Sequence, residues 1–319
     1  MTGPSARRRP RYLMAVVACI AVIAACGTPA KEPPRRTARA GDVRFTSLAP
    51  DVYRPCGLAV GGDAVWALSC SGQAVGIREG GPRVTRGVEG EIVGLDALAG
   101  DDGGPLWVTT AVGSGTARHG AVAMLVGVDG GTGGPVDLGA SIPMHAVWVG
   151  DALWVATNDG GLYEVRGTQA RRAASGPPLL WAVAEGSRFW TVAENGDVVE
   201  RSETGATRRT YAGVLPNAHA AGAGLGAVWL AAEGRLLLLD GATGNVSPVD
   251  VAGTVNHFER CGGSMWVSQP DFGVRSVDRS GAVIKSVPLD AASAYLACDG
   301  SRLWIVSEDG RLGSIDVTR

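Results

Sequence analysis

Lysine is almost missing from this chain. It occurs only at Lys31 and Lys285, so the 29 basic residues are nearly all arginine. Arg7, Arg8, Arg9 and Arg11 fall in the first 25 residues, which hold no acid; beyond them 25 basic residues face 31 acidic ones, a formal charge of −6. A mildly acidic body has no electrostatic pull on a phosphate backbone, which excludes nucleic acid as the expected partner. Histidine is also scarce, at four residues: His119, His145, His219 and His257. No P-loop, Gly-x-Ser-x-Gly or His-Glu-x-x-His occurs, so a phosphate cradle, a nucleophile elbow and a zincin site have no basis here. The pairs Asp159-Gly160, Asn195-Gly196 and Asp309-Gly310 lack the alternating acids of a calcium loop and are expected to be type I′ hairpin turns. Gly222–Ala227 matches a loose dinucleotide fingerprint, but it leads into a tryptophan strand and not a helix. No catalytic set, metal or cofactor is therefore expected.

Long apolar runs are missing too, with one short exception. Residues 1–25 read as a basic segment, Arg7–Arg11, then an apolar segment of about twelve residues, Leu13–Ala24, then small residues. Twelve residues are too few to span a bilayer as a helix, which points to an export leader. The stretch Ile23-Ala24-Ala25-Cys26-Gly27 resembles the lipobox of bacterial lipoproteins, in which the cysteine takes a diacylglycerol thioether and becomes the mature N-terminus. Cys26 is thus the expected lipidation site and the membrane is reached through its anchor. The rival at Cys19 would leave an apolar segment too short to serve. Residues 26–41 hold three prolines and mixed charge with almost no large apolar side chain, the composition of a flexible tether.

From residue 42 to 319 one unit recurs. Its plainest copy is Leu303–Asp316: a strand around Trp304, a tight Asp309-Gly310 turn and a second alternating strand. Matching tryptophans stand at Trp66, Trp107, Trp154, Trp190, Trp229 and Trp266, separated by 41, 47, 36, 39, 37 and finally 38 residues. Seven copies at that period predict an all-β, seven-bladed propeller. Residues 41–49 resemble 244–252, the segment that follows the strand pair in the fifth copy. The chain therefore enters on the outer strand of a blade whose other three strands come from its C-terminal end, and the N-terminal strand, about 42–49, closes the ring. The phrase Gly-x-Leu-Trp-Val…Asp-Gly-x-Leu…Ile-Asp…Thr-Gly, seen most fully at Ala227–Asn245, is similar to the seven-bladed YVTN, NHL and streptogramin-lyase-like propellers across 42–319. That resemblance implies the fold; such folds host enzymes, receptors and scaffolds alike.

Counting nine residues back from each tryptophan reaches the start of the first strand of a blade. His145, Trp181, His257 and Tyr295 stand there in blades three, four, six and seven, with His219 ten back in blade five. The first strands line the axis, so these residues are expected to ring one mouth of the channel as a binding site for a small ligand or a partner protein's loop, with His119 on a blade-two loop at the same rim. Planar side chains filling a crowded mouth would show the same pattern. The seven tryptophans themselves are read as packing between blades, each indole N–H reaching a backbone carbonyl. An exported chain meets an oxidising compartment, so the remaining cysteines are expected as the disulfides Cys56–Cys70 and Cys261–Cys298.

The function expected is that of a membrane-tethered extracytoplasmic lipoprotein that binds or scaffolds. The alternative is a metal-assisted lyase or lactonase of the streptogramin-lyase type. In those lyases a histidine and a Glu-x-His pair surround magnesium, and the residues two before the histidines here are Ala117, Pro143, Asn217 and Val255. A quinoprotein subunit would need a fuller tryptophan-docking repeat and a basic cofactor pocket, which the sequence lacks.

Overall fold

The computed structural model describes residues 43–317, apart from positions 44, 49–50, 53, 62–63, 79–80, 82, 90, 97–105, 114–117 and 126–132. The export leader, Cys26 and the tether lie outside the described residues. Within them every regular element is a strand, and the strands form seven antiparallel four-stranded sheets.

Blade one is β2 (Pro55–Gly61), β3 (Ala64–Ser69), β4 (Gln73–Ile77) and β5 (Arg83–Gly87). Blade two is β6 (Glu91–Asp96), β7 (Leu106–Val112), β8 (His119–Leu125) and β9 (Val136–Asp137); blade three is β10 (Pro143–Val149), β11 (Ala152–Thr157), β12 (Gly161–Arg166) and β13 (Gln169–Ser175). Blade four is β14 (Leu179–Glu185), β15 (Arg188–Ala193), β16 (Val198–Arg201) and β17 (Thr207–Tyr211); blade five is β18 (Ala220–Gly224), β19 (Ala227–Ala232), β20 (Arg235–Asp240) and β21 (Val246–Pro248). Blade six is β22 (His257–Cys261), β23 (Ser264–Gln269), β24 (Gly273–Val277) and β25 (Val283–Val287). Blade seven takes β26 (Ser293–Cys298), β27 (Arg302–Ser307) and β28 (Arg311–Asp316) from the C-terminal end and β1 (Thr46–Ser47) from the N-terminal side. Thr46 pairs with Leu312 and Ser47 with Arg311, and Leu48 N–H extends the join to the Gly310 carbonyl at 2.9 Å. The first strands adjoin one another in the order β2, β6, β10, β14, β18, β22, β26 and back to β2. The fold read from the tryptophan period is therefore the fold observed, including its closure.

The apolar core is divided among the seven seams between blades. Each second strand is an almost continuous buried run, as in Ala152–Thr157, because both of its faces meet a neighbouring blade. The tryptophan of each blade points into the seam with the next: Trp66 clusters with Leu106 and Val108, Trp229 with Phe258 and Val267, Trp266 with Leu303 and Ile305. Trp154 stacks on Phe189 of blade four with ring centroids 5.3 Å apart. Burying an indole removes roughly 150–250 Å² from water, so at about 25 cal/mol per Å² each seam gains on the order of 4–6 kcal/mol before conformational entropy is charged against it. The expected indole hydrogen bonds form in part. Trp229 donates to the Gly224 carbonyl at 3.0 Å and Trp266 to the Cys261 carbonyl at 3.2 Å, while Trp304 donates to the Asp299 carboxylate. The N–H groups of Trp107, Trp154 and Trp190 are buried and meet no acceptor among the described residues.

The hairpin turns differ from the type I′ expectation. Only the glycines Gly160, Gly196 and Gly310 have positive φ; Asp159, Asn195 and Asp309 do not. Gly310 N–H bonds back to the Ser307 carbonyl at 2.9 Å, and Gly160 and Gly196 repeat the pattern. These are three-residue loops in which a type I turn is followed by a left-handed glycine. Asp159 accepts a hydrogen bond from Thr157 Oγ1 and Asp309 one from Ser307, so local capping holds the aspartate at negative φ.

Candidate functional site

The first strand of every blade is hydrogen-bonded on one side only. Its other edge faces the channel and presents N–H and C=O groups that need partners. His145 is the third residue of β10, and its Nδ1–H donates to the Ala182 carbonyl of blade four at 2.8 Å. Trp181, third in β14, sends its indole N–H to the Ala218 carbonyl at 2.8 Å, just before β18. His219 immediately precedes β18, and its Nε2–H donates to the Val255 carbonyl at 2.9 Å, just before β22. His257 opens β22 and works in the opposite sense: its Nδ1 accepts the Leu296 N–H of β26 at 3.4 Å. Each ring thus satisfies a free edge group of the following blade.

This arrangement gathers the predicted residues at one end of the first strands. His145 and Trp181 have ring centroids 4.7 Å apart, and His257 and Tyr295 lie 5.5 Å apart. The turns after the second strands sit at the same end, since Asn158 N–H bonds to the Ile142 carbonyl and Glu194 N–H to the Pro178 carbonyl. His219 belongs to the ring but is exposed. His119 is on a strand and not in the loop: it is the first residue of β8, the third strand of its blade, paired with Val112 beside the strand 2–3 turn.

The backbone partners also set the proton positions. A carbonyl can only accept, so His145 carries its proton on Nδ1 and leaves Nε2 as an acceptor, and His219 likewise leaves Nδ1. His257 accepts at Nδ1, so its remaining N–H is Nε2. Burial lowers the His145 pKa to about 4, against a smaller opposing effect of the Ala182 hydrogen bond. Burial, with a smaller effect of His145, lowers His257 to about 3. Tyr295 is pushed up to about 12, first by burial and then by Cys56 and Cys70 close by on blade one.

One member of the site escaped sequence reasoning. Glu259 lies two residues beyond His257 on β22, directly opposite Trp266 in register. Its carboxyl group accepts the Cys298 N–H, the next free edge amide of β26 after Leu296. Burial raises its pKa to about 8, so it is a neutral acid at pH 7. The signal was present as His257-x-Glu259. In a strand, residues i and i+2 share a face, so a first strand carrying that triplet places both groups in one seam. At neutral pH the four groups His145, His257, Glu259 and Tyr295 are all uncharged, and they combine acceptor and donor positions around one mouth.

Beneath this layer Cys261 and Cys298, the last residues of β22 and β26, are joined by a disulfide with Cα atoms 5.6 Å apart. Cys56 and Cys70 stand at the rim end of the first hairpin, where Cys70 N–H bonds to the Arg54 carbonyl; the structure carries both as thiols.

No protein-family model matches the chain, and no curated protein matches it. Solved structures do. A catalytically inactive variant of virginiamycin B lyase from Staphylococcus aureus, determined with quinupristin, aligns with TM-score 0.69 and 12% identity over 86% of this chain and 98% of its own. BamB from Moraxella catarrhalis aligns with TM-score 0.61 and 17% identity over 86% and 98%. A chain of the mitotic checkpoint complex aligns with TM-score 0.70 and 14% identity over 95% and 99%. At these identities the likeness is one of fold: the chain is a seven-bladed propeller of the architecture shared by a lyase, BamB and an assembly component.

Proposed function

We propose that this protein is a lipid-anchored, extracytoplasmic propeller that binds a small polar ligand or an envelope protein partner at the channel mouth. The observation that carries the reading is the ring of rigid, uncharged polar side chains at one rim. His145, Trp181, His219 and His257 are each held by a hydrogen bond to the following blade, so a preformed surface meets the ligand with little ordering cost. The disulfide between blades six and seven supports an oxidising compartment. The Cys26 anchor rests on the lipobox resemblance, and two or three acyl chains on one residue would hold it firmly. The pair Cys56–Cys70 is proposed as a second disulfide of the mature protein, closing the rim end of the first hairpin.

Alanine variants of His145 and His257 test the site through ligand-induced thermal shifts across a panel of neutral polar compounds and divalent metals. The reading expects every shift seen with the parent to shrink in both variants. Retention of all of them would remove the channel mouth as the binding site. Cys26→Ala is expected to leave the membrane fraction, and mass spectrometry of the parent should show an acylated N-terminal cysteine. Non-reducing peptide mapping decides the Cys56–Cys70 pairing, with two alkylatable thiols there as the contrary result.

A further inference from the structure

In the third strand of each blade, one register position faces the residue before the tryptophan. Ile77, Leu125, Val165, Leu239, Val277 and Ile315 occupy it in six blades. In blade four it is Arg201, opposite Phe189. The residue after the tryptophan follows the same rule. It is Ala67, Val108, Val155, Leu230, Val267 or Ile305 elsewhere and Thr191 in blade four. Both exceptions lie on one face of one sheet and bond to each other, Arg201 Nε donating to Thr191 Oγ1 at 3.0 Å.

Arg201 is 8% exposed, and Thr191 is fully buried. The guanidinium also donates to the Gly205 carbonyl at 3.1 Å. That turn is pressed against the seam, since a Cβ on Gly205 would come within 2.6 Å of the Trp154 ring of blade three. Arginine has five N–H donors and stays charged at any ordinary pH; these two acceptors are neutral and engage two of the five. Four other arginines of blades three and four meet carboxylates, Arg166 and Arg171 pairing with Glu164, Arg172 with Asp159 and Arg188 with Glu200, and the remaining two, Arg208 and Arg209, are exposed to water on β17. For Arg201 no carboxylate lies within ion-pair reach among the described residues, and burial is the one influence on its charge, disfavouring it. A buried cation without a counter-charge is costly enough that an unneeded one would be expected to give way to the aliphatic residue used by the other six blades.

We propose that the seam between blades three and four at Arg201 is a binding site for a small monovalent anion of the halide or nitrate class. Thr191 and the Gly205 carbonyl orient the guanidinium, and the anion takes donors they leave over. The site is separate from the channel mouth, because the strand 3–4 turn lies at the other end of the blade from the first-strand starts.

The test is thermal unfolding of the full chain at constant ionic strength while sodium gluconate, the salt of a much larger anion, is exchanged for sodium chloride, bromide or nitrate. The parent should gain about 2–4 °C along a saturable curve as the small anion rises well past its dissociation constant. Arg201→Leu, which restores the aliphatic layer, should be at least as stable in gluconate and show no saturable anion response. A parent whose midpoint ignores anion identity, or an Arg201→Leu variant that keeps the parental response, would overturn the proposal. Should that variant fail to fold, crystals of the parent in bromide decide the matter. An anomalous peak within hydrogen-bonding distance of the Arg201 guanidinium supports the site, and none there at a saturating concentration refutes it.

Discussion

Replacing Glu259 by glutamine should change how stability depends on pH without harming the fold at neutrality. Glutamine keeps the shape and the acceptor that Cys298 N–H uses, and it mimics the protonated carboxyl group that burial maintains up to about pH 8. In the unfolded chain the same group ionises near its ordinary value of 4.5. Between those values the unfolded state holds fewer protons than the folded one, so stability falls as pH rises, at about 1.4 kcal/mol per pH unit. The two channel histidines act in the opposite sense. They ionise near 6.5 when unfolded but only near 4 and 3 when folded, so each adds stability as pH rises towards 6.5 and nothing above it. Below 6.5 two rising contributions outweigh one falling; above it the Glu259 contribution stands alone. Maximum stability is expected near pH 6.5, with a loss of roughly 2 kcal/mol by pH 8 as the ceiling set by that slope. Urea unfolding followed by tryptophan fluorescence at half-unit pH steps measures it. Glu259→Gln should abolish the decline above pH 6.5 and steepen the rise between about pH 4.5 and 6.5, where the falling contribution of Glu259 is lost. A decline of the same size in both proteins would refute the claim that a neutral Glu259 sits in this seam.

Gly310→Ala should destabilise by about 2–3 kcal/mol or more, because φ is +76° and a Cβ would come within 2.1 Å of the Val52 carbonyl oxygen; Gly234→Ala, at φ +74° with open space, should lose only about 1 kcal/mol, and paired urea titrations compare them. Replacing Cys261 and Cys298 together by serine should cost about 3–4 kcal/mol for a closure spanning 37 residues, measured against the oxidised parent; an equal midpoint would remove the disulfide from the account of ring closure. Trp154→Ala, at a fully buried seam, should cost about 3–5 kcal/mol, and the partly exposed Trp304→Ala distinctly less, both read by chemical denaturation.

The repeat was legible because a propeller writes its architecture locally. Each blade is a set of short hairpins, and turn chemistry, strand alternation and the tryptophan before the turn are properties of about fifteen consecutive residues. Ring closure was legible for the same reason: residues 41–49 resemble an outer strand that the C-terminal end lacks. The positions of His145, Trp181, His219, His257 and Tyr295 at the starts of first strands followed from counting back from the tryptophan. The turn type was misjudged because a two-residue Asp-Gly hairpin and a three-residue loop with glycine in the same place share a sequence. Hydrogen bonds from Thr157 and Ser307 to the aspartates decide between them.

What the chain could not declare by itself depends on the neighbouring blade. Whether His145 is a donor or an acceptor is decided by the Ala182 carbonyl, 37 residues away in sequence. Glu259 is an ordinary acid until the seam with β26 half-buries it and supplies one N–H. Arg201 reads as one more arginine in an arginine-rich chain, and only the strand register shows it standing where six other blades place an aliphatic side chain. Local sequence determined the blades, because hairpin formation is a short-range property. Protonation, tautomer and the compensation of charge were decided by tertiary structure, because each depends on what the next blade brings within about 3 Å.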